Sequence, residues 1–472
     1  MPATPPNEPA DAGPYDAGPT TEVLQHHNGG TRDGLYVEPA FTRAAVPGMH
    51  ADSGFSATVN GHVYAQPLLV GGRLIVATES NEVSALDAAT GAAVWRRTLG
   101  DPVPLSQLEC GNIDPLGITG TPVADPVSRT VYLDAMTTGP RHLVFALSLD
   151  DGSTRPGWPV DVGAKVAGFN SLYQNQRGAL ALSNGILFVP YGGHFGDCGT
   201  YHGAIVAIPV AAPQRSATAW QTRAEGGAVW GPSGIATDGT SIFAATGNTF
   251  GATSWADGEA VFRFSPASPL TPADQFHPSN WMALDDSDVD LGGSGVLLVH
   301  VPGATPADLA VALGKDGKAY LLERGHLGLL SSPAVSSGAI ITAPASYTTA
   351  NGTYVAFHGA PAGGCSGDLT VLKLSATSPP AATFAWCGQQ NGRGSPIATT
   401  TDGRSDAVVW AVGTEGEFGS QGDERLHAFD GDTGAVLFTS AAMREVRRFQ
   451  SPIVAGGRIY VAGDGMVYAF RP

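Results

Sequence analysis

One pattern of short apolar runs repeats along most of the 472-residue chain. Small or polar residues open each new unit, and successive openings lie 50 to 62 residues apart: Gln66-Pro67, Thr121-Pro122, Arg177-Gly178, Gly231-Pro232, Gly293-Ser294, Ala343-Pro344, Ser395-Pro396 and Ser451-Pro452. Such a unit is long enough for a four-stranded antiparallel sheet, which needs neighbours to cover both of its faces. The repetition predicts an all-β, eight-bladed β-propeller, or seven blades if one opening is misassigned.

The unit at residues 63–95 shows the pattern within one blade. Its apolar runs at 68–70, 74–77 and 83–86 stop at Gly71-Gly72, at 79–81 and at Asp87, and a fourth run ends at Trp95. Glycine, asparagine and aspartate are the residue types that tight turns between antiparallel strands require. The unit is therefore expected to be a meander of four strands.

The two ends of the chain are expected to meet in the last blade. Residues 451–472 have room for only three strands, so we expect an N-terminal strand at 55–59 to complete that blade and close the ring. Residues 23–472 are then a single propeller domain. Residues 1–22 are rich in proline, alanine, glycine and aspartate, and this composition is typical of a disordered tether.

Composition limits the partners and the cellular compartment. The net charge is −17, and the 25 lysines and arginines form no stripe that could neutralise phosphates, which argues against nucleic-acid partners. No run of 18 apolar residues is long enough to span a membrane. Four cysteines without a CxxC pair indicate two disulfides, Cys110–Cys198 and Cys365–Cys387, in a periplasmic, secreted or surface-tethered protein. Four buried free thiols are the alternative, and the expected export signal would precede this chain.

The order of strands predicts which loops share a face. If each blade runs from the channel outwards, the loop before its first strand and the loop after its second strand lie on the same face. This parity collects Gln66, Glu79, Arg177, His194, Asp197, His202, Trp230, Asn248, Asp288, Asp290, Lys315 and Asp464 on one face. We expect a small-molecule ligand or substrate to bind there, in the central funnel.

Two segments resemble the repeat of pyrroloquinoline quinone (PQQ) propellers, AxDxxTGxxxW. They are ALDAATGAAVW at 85–95 and HAFDGDTGAVLF at 427–438. GGAVWGPSGIATDGTSIFAATGN at 226–248 and GKDGKAYLLERGHLGLL at 314–330 further resemble site segments of the quinoprotein alcohol dehydrogenases. The resemblance covers nearly all of residues 60–472, and it implies an eight-bladed propeller in the quinoprotein superfamily.

The same resemblance implies roles for individual residues. Trp230 would stack under the quinone, the Asn248 oxygen would bind Ca²⁺, and Lys315 would polarise the quinone carbonyls. Asp290, in DSDVDLGGSG at 286–295, would be the catalytic base or a metal ligand. Arg177, at the opening of the third unit, is a further candidate for binding the cofactor. An aromatic platform, oxygen ligands and a fixed cation suit a flat anionic quinone with a divalent metal.

The sequence also departs from the dehydrogenases. The segment GGHFGDCGTYHG at 192–203 lacks their calcium-binding glutamate, so Asp197 is expected to replace it, or His194 and His202 to hold a softer metal. The chain has no adjacent cysteine pair over the cofactor and no CxxCH haem motif. The expected function is a PQQ- and calcium-dependent oxidoreductase acting on an alcohol or sugar. The alternatives are a non-catalytic extracytoplasmic binding propeller and a metal-dependent hydrolase of the lactonase or esterase type, using His and Asp at the channel mouth.

Overall fold

Eight antiparallel sheets form the blades of a β-propeller in the computed structural model, which describes residues 18–416 and 422–472. The strands of blades 1 to 4 are Leu68–Val70, Arg73–Ala77, Glu82–Asp87 and Ala93–Thr98; Val123–Asp125, Thr130–Thr137, Arg141–Ser148 and Val160–Asp161; Ala181–Ser183, Ile186–Gly193, Ala204–Pro209 and Thr218–Gln221; and Ala236–Thr237, Ile242–Ala245, Val261–Phe264 and Pro272–Phe276. The prediction of eight blades is confirmed.

The second half of the chain continues the same order. The strands of blades 5 to 8 are Val296–His300, Asp308–Leu313, Ala319–Glu323 and Leu329–Ser331; Ala345–Thr349, Gly352–His358, Leu369–Leu374 and Ala382–Gly388; Ile397–Thr400, Val408–Val412, Leu426–Asp430 and Val436–Thr439; and Ile453–Ala455, Arg458–Gly463 and Met466–Arg471. Further short strands are Leu35–Val37, His50–Ala51, Ala57–Thr58 and Gln174–Asn175. Short α- and 3-10 helices lie in the connections at Val46–Gly48, Leu105–Gln107, Val162–Lys165, Pro213–Ser216, Trp281–Asp286 and Leu291–Gly293.

The repeat motif folds as a capped turn and an inter-blade contact. Asp87 Oδ1 accepts hydrogen bonds from the backbone N–H groups of Ala89 and Thr90, at 3.1 and 2.8 Å, and Gly91 takes the left-handed conformation at φ 79°. Trp95 Nε1 donates to the carbonyl oxygen of Leu149 in blade 2, at 3.1 Å. The aspartate therefore shapes the turn, and the aromatic residue joins neighbouring blades. Apolar residues of adjacent blades pack into shared cores in the same way, as Ile75 and Leu133 do.

An N-terminal strand completes blade 8, as the sequence predicts. Ala57 pairs with Val467 in antiparallel register, and His50 pairs with Arg471 on the same edge. Of the predicted tether at 1–22, residues 1–17 lie outside the described residues. Thr20 N already donates to the carbonyl oxygen of Val37 at 2.7 Å, and Glu22 Oε1 accepts from Gly71 N at 3.0 Å.

Residues 23–38, here called the N-terminal strap, run across the inner ends of the blades. The strap bonds to blades 1, 2, 4, 5, 6 and 7 through the backbone pairs Val23–Leu69, Leu24–Ala124, Gly30–Thr237, Thr31–Leu298, Asp33–Ser346 and Gly34–Ala398. Arg32 donates to the Leu180 carbonyl oxygen of blade 3 at 2.8 Å, and Glu38 accepts from Gly457 N of blade 8 at 2.7 Å. One segment therefore contacts all eight blades.

Arg32 is buried at the centre of this strap. Its guanidinium group donates to the carbonyl oxygens of Ile235, Leu180 and His26 at 2.6 to 3.0 Å. Burial lowers the pKa of Arg32 to about 9. His26 and His27 stack on each other with their ring centroids 4.3 Å apart, and both are buried. In the described part of the chain, no helix has both the length and the apolar character needed to cross a membrane.

Candidate functional site

A cavity of about 270 Å³ opens on the polar face that strand parity predicts. Arg177, Trp230, Asp288 and Asp290 reach it from loops that precede the first strands of blades 3, 4 and 5, and His194, Asp197, Asn248 and Lys315 reach it from loops that follow second strands. Seven of the eight candidate site residues therefore line one cavity, and His202 does not. We call it the outer cavity. Its volume lies near the lower end of the roughly 300–1,000 Å³ typical of small-molecule sites.

Two cations lie over the indole ring of Trp230. The Lys315 Nζ atom is 5.3 Å from the ring centroid, and the Arg177 guanidinium carbon is 5.7 Å from it. The Arg177 group lies equally close to the ring of Phe449, at 5.7 Å. The negative face of an aromatic ring attracts cations at these separations. Trp230 thus combines an apolar platform with fixed positive charge.

Lys315 is also bound by two carboxylates. Its ammonium group forms an ion pair with Asp290 and a second one with Asp288, the latter at 2.8 Å. Burial alone would lower the pKa of Lys315, but Asp290 and Asp288 outweigh it and raise that pKa. The side chain therefore stays an ammonium ion at neutral pH, held beside Trp230.

Asp290 is fixed from the other side by the TGN segment of blade 4. Its Oδ1 atom accepts a hydrogen bond from the backbone N–H of Asn248 at 2.6 Å. A Cβ atom at Gly247 would overlap this oxygen, so glycine is required for the close approach. The Asn248 side chain lines the cavity and forms no hydrogen bond within the described residues. One carboxylate oxygen and one amide group therefore stand close together at the cavity wall.

Glu259 is a buried acid that the sequence reasoning missed. Its Oε2 atom accepts from Leu291 N at 2.6 Å, while its Oε1 atom has no hydrogen-bond partner among the described residues. Burial, followed by the charge of Asp290, raises the pKa of Glu259 to about 10. An acidic residue inside the apolar run EAVFRF at 259–264 is the signal that could have revealed it. The carboxyl group of Glu259 is therefore protonated and neutral at physiological pH, next to the charged Asp290.

The loop after the second strand of blade 3 contributes His194 and Asp197. His194 Nε2 donates to the carbonyl oxygen of Leu172 at 3.1 Å, and burial lowers the pKa of His194 to about 4. Asp197 accepts from the Tyr201 hydroxyl at 2.6 Å, and burial raises its pKa. His194 is therefore neutral at physiological pH. The Cys110–Cys198 disulfide joins this loop to residues 108–116 of the neighbouring connection.

The structure places His202 apart from this wall. Its Nδ1 atom is bonded to the carbonyl oxygens of Thr222 and Ala224, both at 2.8 Å. Within residues 18–416 and 422–472, no group of three His, Cys, Asp or Glu side chains is arranged to hold a metal ion. Of the two histidines in the predicted softer-metal site, only His194 lines the cavity, because the ring of His202 is bonded to backbone carbonyl oxygens.

The residues that line the outer cavity can be compared with what a quinone and Ca²⁺ require. Asp290 and Asn248 line the cavity and offer the hard oxygen ligands that Ca²⁺ prefers. Trp230, Lys315 and Arg177 offer an aromatic face and two cations to a flat anion. These residues fit both groups. Ca²⁺ takes about six to eight oxygens, so further ligands must come from the bound molecule or from water.

Comparison with solved structures shows where this fold occurs. The quinohemoprotein alcohol dehydrogenase from Comamonas testosteroni superposes with a TM-score of 0.66 at 14% identity, over 96% of this chain and 81% of that one. A europium-containing methanol dehydrogenase superposes with a TM-score of 0.66 at 14% sequence identity, over 94% of this chain and 90% of that one. BamB from Moraxella catarrhalis superposes with a TM-score of 0.54 at 13% sequence identity, over 90% of this chain and 98% of that one. At such identities the likeness concerns the fold.

Sequence comparison adds a family. Residues 51–263 match the family described as outer membrane protein assembly factor BamB, a PQQ-type repeat family. A search of curated protein sequences finds no match. This match agrees with two other observations: the repeat motifs at 85–95 and 427–438, and the eight blades of the propeller. Residues 51–263 thus resemble a PQQ-type repeat family, and the chain shares its β-propeller fold with quinohemoprotein and methanol dehydrogenases.

Proposed function

We propose that the outer cavity binds PQQ together with Ca²⁺, and that the protein is an oxidoreductase acting on an alcohol or a sugar. The observation that carries this proposal is the convergence of Trp230, Asn248, Asp290 and Lys315 on one cavity from blades 4 and 5. These are the residue types that a flat anionic cofactor and its metal require. The quinone, when bound, would supply the acceptor for the two electrons of the oxidation.

The residues of the chain have separate tasks in this proposal. Trp230 gives the cofactor an apolar face to pack against, and Lys315 and Arg177 offset its negative charge. Asp290 accepts the hydroxyl proton of the substrate at a carboxylate oxygen. The N–H of Asn248 holds that carboxylate in place, and the Asn248 side chain is available to the metal.

Binding is the first test of this function. Titration of the purified protein with PQQ, with and without Ca²⁺, should quench tryptophan fluorescence, and dye reduction should follow when alcohols and sugars are added. Trp230→Leu should weaken quinone binding about tenfold or more. Trp255→Leu is the matched control, because Arg223 lies 5.2 Å from the Trp255 ring and Trp255 does not line the cavity. Absence of quenching, or equal effects of both variants, would contradict the proposal.

Calcium binding gives an independent test. The described side chains supply too few oxygens for a complete Ca²⁺ shell, so Ca²⁺ alone should bind weakly and PQQ should raise its affinity. Linkage requires that Ca²⁺ raise the affinity for the quinone by the same factor. Calorimetric titrations in both orders measure this coupling. Equal Ca²⁺ affinity with and without PQQ would exclude a shared site.

A non-catalytic binding propeller is the second candidate. The family match at 51–263 favours it, since that family is described as an assembly factor. Lys315 and Asp290 also already pair with each other, so neither side chain requires a ligand to balance its charge. The same titrations separate the two functions, because a protein of this kind would retain the fold and show neither quinone binding nor dye reduction.

We further propose that the protein works outside the cytoplasm. Both predicted disulfides, Cys110–Cys198 and Cys365–Cys387, are formed. Such bonds persist in oxidising compartments and are rare in reducing ones. Fractionation of cells that express the natural gene product would test this location, and recovery in the cytoplasm with reduced cysteines would exclude it.

A further inference from the structure

A second, smaller chamber adjoins the outer cavity at Arg177, which lines both. His26 of the N-terminal strap forms part of its wall, together with Tyr64, Gln66, Arg448 and Phe449. Within this chamber, the space that the centre of a water molecule can occupy is about 20 Å³. A single water needs roughly 10–15 Å³ by this measure, so the chamber has room for one small polar group and not for a ring.

Arg448 is the unusual residue of this chamber. It is only 7% exposed, yet it forms no ion pair and no hydrogen bond within the described residues. Its neighbour Arg447 has a different environment, because that guanidinium group pairs with Asp464 and with Glu415, the latter at 3.2 Å. A buried charge without a partner is costly, so Arg448 needs a counterion that residues 18–416 and 422–472 do not supply.

The remaining groups of the chamber also favour an anion. The Arg177 guanidinium group lies between the rings of Trp230 and Phe449, at 5.7 Å from each. Burial raises the pKa of Tyr64 to about 12, so its hydroxyl stays neutral and can donate. His26 is 2% exposed, and its Nδ1 atom has no hydrogen-bond partner among the described residues. Two arginines, a hydroxyl and an imidazole therefore meet in a space for one group.

We propose that this inner chamber binds the carboxylate group of a small molecule whose body lies in the outer cavity, with Arg448 as its main partner. A carboxylate has the size that the chamber admits, and arginine binds it with two parallel, charge-assisted hydrogen bonds. The carboxylate can belong to PQQ or to an acidic substrate, and the chamber has the same chemistry for both. The assignment does not depend on the proposed oxidoreductase activity.

Calorimetric titration with paired probes tests the chamber. Glycolate and benzoate are compared with their neutral amides, glycolamide and benzamide, and with PQQ. The wild-type protein should bind the acids at least about tenfold more tightly than the amides, and Arg448→Gln should weaken acid binding about 10- to 100-fold. Arg447→Gln, which removes a paired arginine from the same turn, should leave acid binding within about threefold. Thermal unfolding reports the fold of each variant.

Titration with PQQ and titration with the simple acids together show whether the carboxylate belongs to the cofactor or to the substrate. Binding of PQQ alone, dependent on Arg448, assigns the group to the cofactor. Binding of the simple acids by a protein that does not bind PQQ assigns it to the substrate, and then the proposed oxidoreductase fails while the chamber stands. If Arg448→Gln does not fold, Tyr64→Phe and the acid–amide comparison on the wild type replace it. Equal binding of acids and amides, or acid binding unchanged in Arg448→Gln, overturns the proposal.

Discussion

The ammonium group of Lys315 forms an ion pair with the carboxylate of Asp290, and the two residues come from different loops of blade 5. The same ammonium group lies over the ring of Trp230, which precedes blade 4. The candidate base, the candidate cation and the aromatic platform are thus in direct contact. A change at any of the three should affect the other two.

Asp290→Asn should lower dye-linked oxidation by a factor of about 10² to 10⁴, because the amide cannot accept the substrate proton. The rate at saturating substrate, measured with PQQ and Ca²⁺ in excess, checks this. Asp464→Asn is the control, since Asp464 is similarly buried and paired with Arg447 but does not line the outer cavity. A rate within tenfold of the wild type would exclude Asp290 as the base.

Arg32→Leu should lower the free energy of unfolding by about 3 kcal/mol or more, because three buried carbonyl oxygens would lose their donor. Chemical denaturation measures the change. Arg129→Leu removes an exposed arginine that pairs with Asp150, and it should leave the free energy of unfolding almost unchanged. Similar losses in both variants would show that the N-terminal strap contributes little to closing the ring.

Removing the two disulfides should have different consequences for binding. Each double Cys→Ser variant should lose about 2–4 kcal/mol of stability. Only the pair Cys110→Ser and Cys198→Ser should also weaken ligand binding, because this bond holds the loop that carries His194 and Asp197. The pair Cys365→Ser and Cys387→Ser in blade 6 is the control. Titration of both variants with PQQ or benzoate measures the effect on ligand binding. Equal losses of affinity in the two variants would contradict a special role of the Cys110–Cys198 bond.

Glu79→Gln should stabilise the protein at alkaline pH. Burial raises the pKa of Glu79 from 4.5 to about 7. Between these values the folded state binds more protons than the unfolded state, so wild-type stability falls as the pH rises from 4.5 to 7. The variant does not ionise, and its advantage should reach at most about 3 kcal/mol at pH 8.

Denaturation of wild type and Glu79→Gln at pH 4 and pH 8 measures this difference. The Gly117 N–H, which donates to Glu79 Oε2 at 2.7 Å, can still bond to the amide oxygen of the glutamine. The gain should therefore disappear below pH 4.5, where the wild-type carboxyl is protonated in both states. A gain that is equal at both pH values would show that charge is not its cause.

Much of the site could be predicted because strand order fixes the face on which each loop lies. Trp230 precedes a first strand and Lys315 follows a second strand, so the order of strands alone predicts that both lie on one face. The motifs around Asn248 and Asp290 then narrowed the candidates. His202 obeys the same parity, yet its ring is bonded to the carbonyl oxygens of Thr222 and Ala224. Parity gives the face of a loop and not the direction of each side chain.

Other features carried no local signal. Residues 23–38 show no repeat, so nothing in their sequence indicated that they would bond to all eight blades. Glu259 and Arg448 look like ordinary charged residues in the sequence. Only the structure shows that both are buried and that one oxygen of Glu259 has no partner among the described residues. Their importance depends on neighbours that are distant in sequence.

The sequence by itself determined the eight units, the antiparallel strands and the closing N-terminal strand, because turn residues and apolar runs act over a few residues and recur at a fixed period. Only the tertiary structure decided that Lys315 binds Asp290 beside Trp230, that Arg32 joins blades 3 and 4, and that Arg448 has no counterion among the described residues. Those facts depend on burial and on distances across the ring, and these exist only once all eight blades have closed.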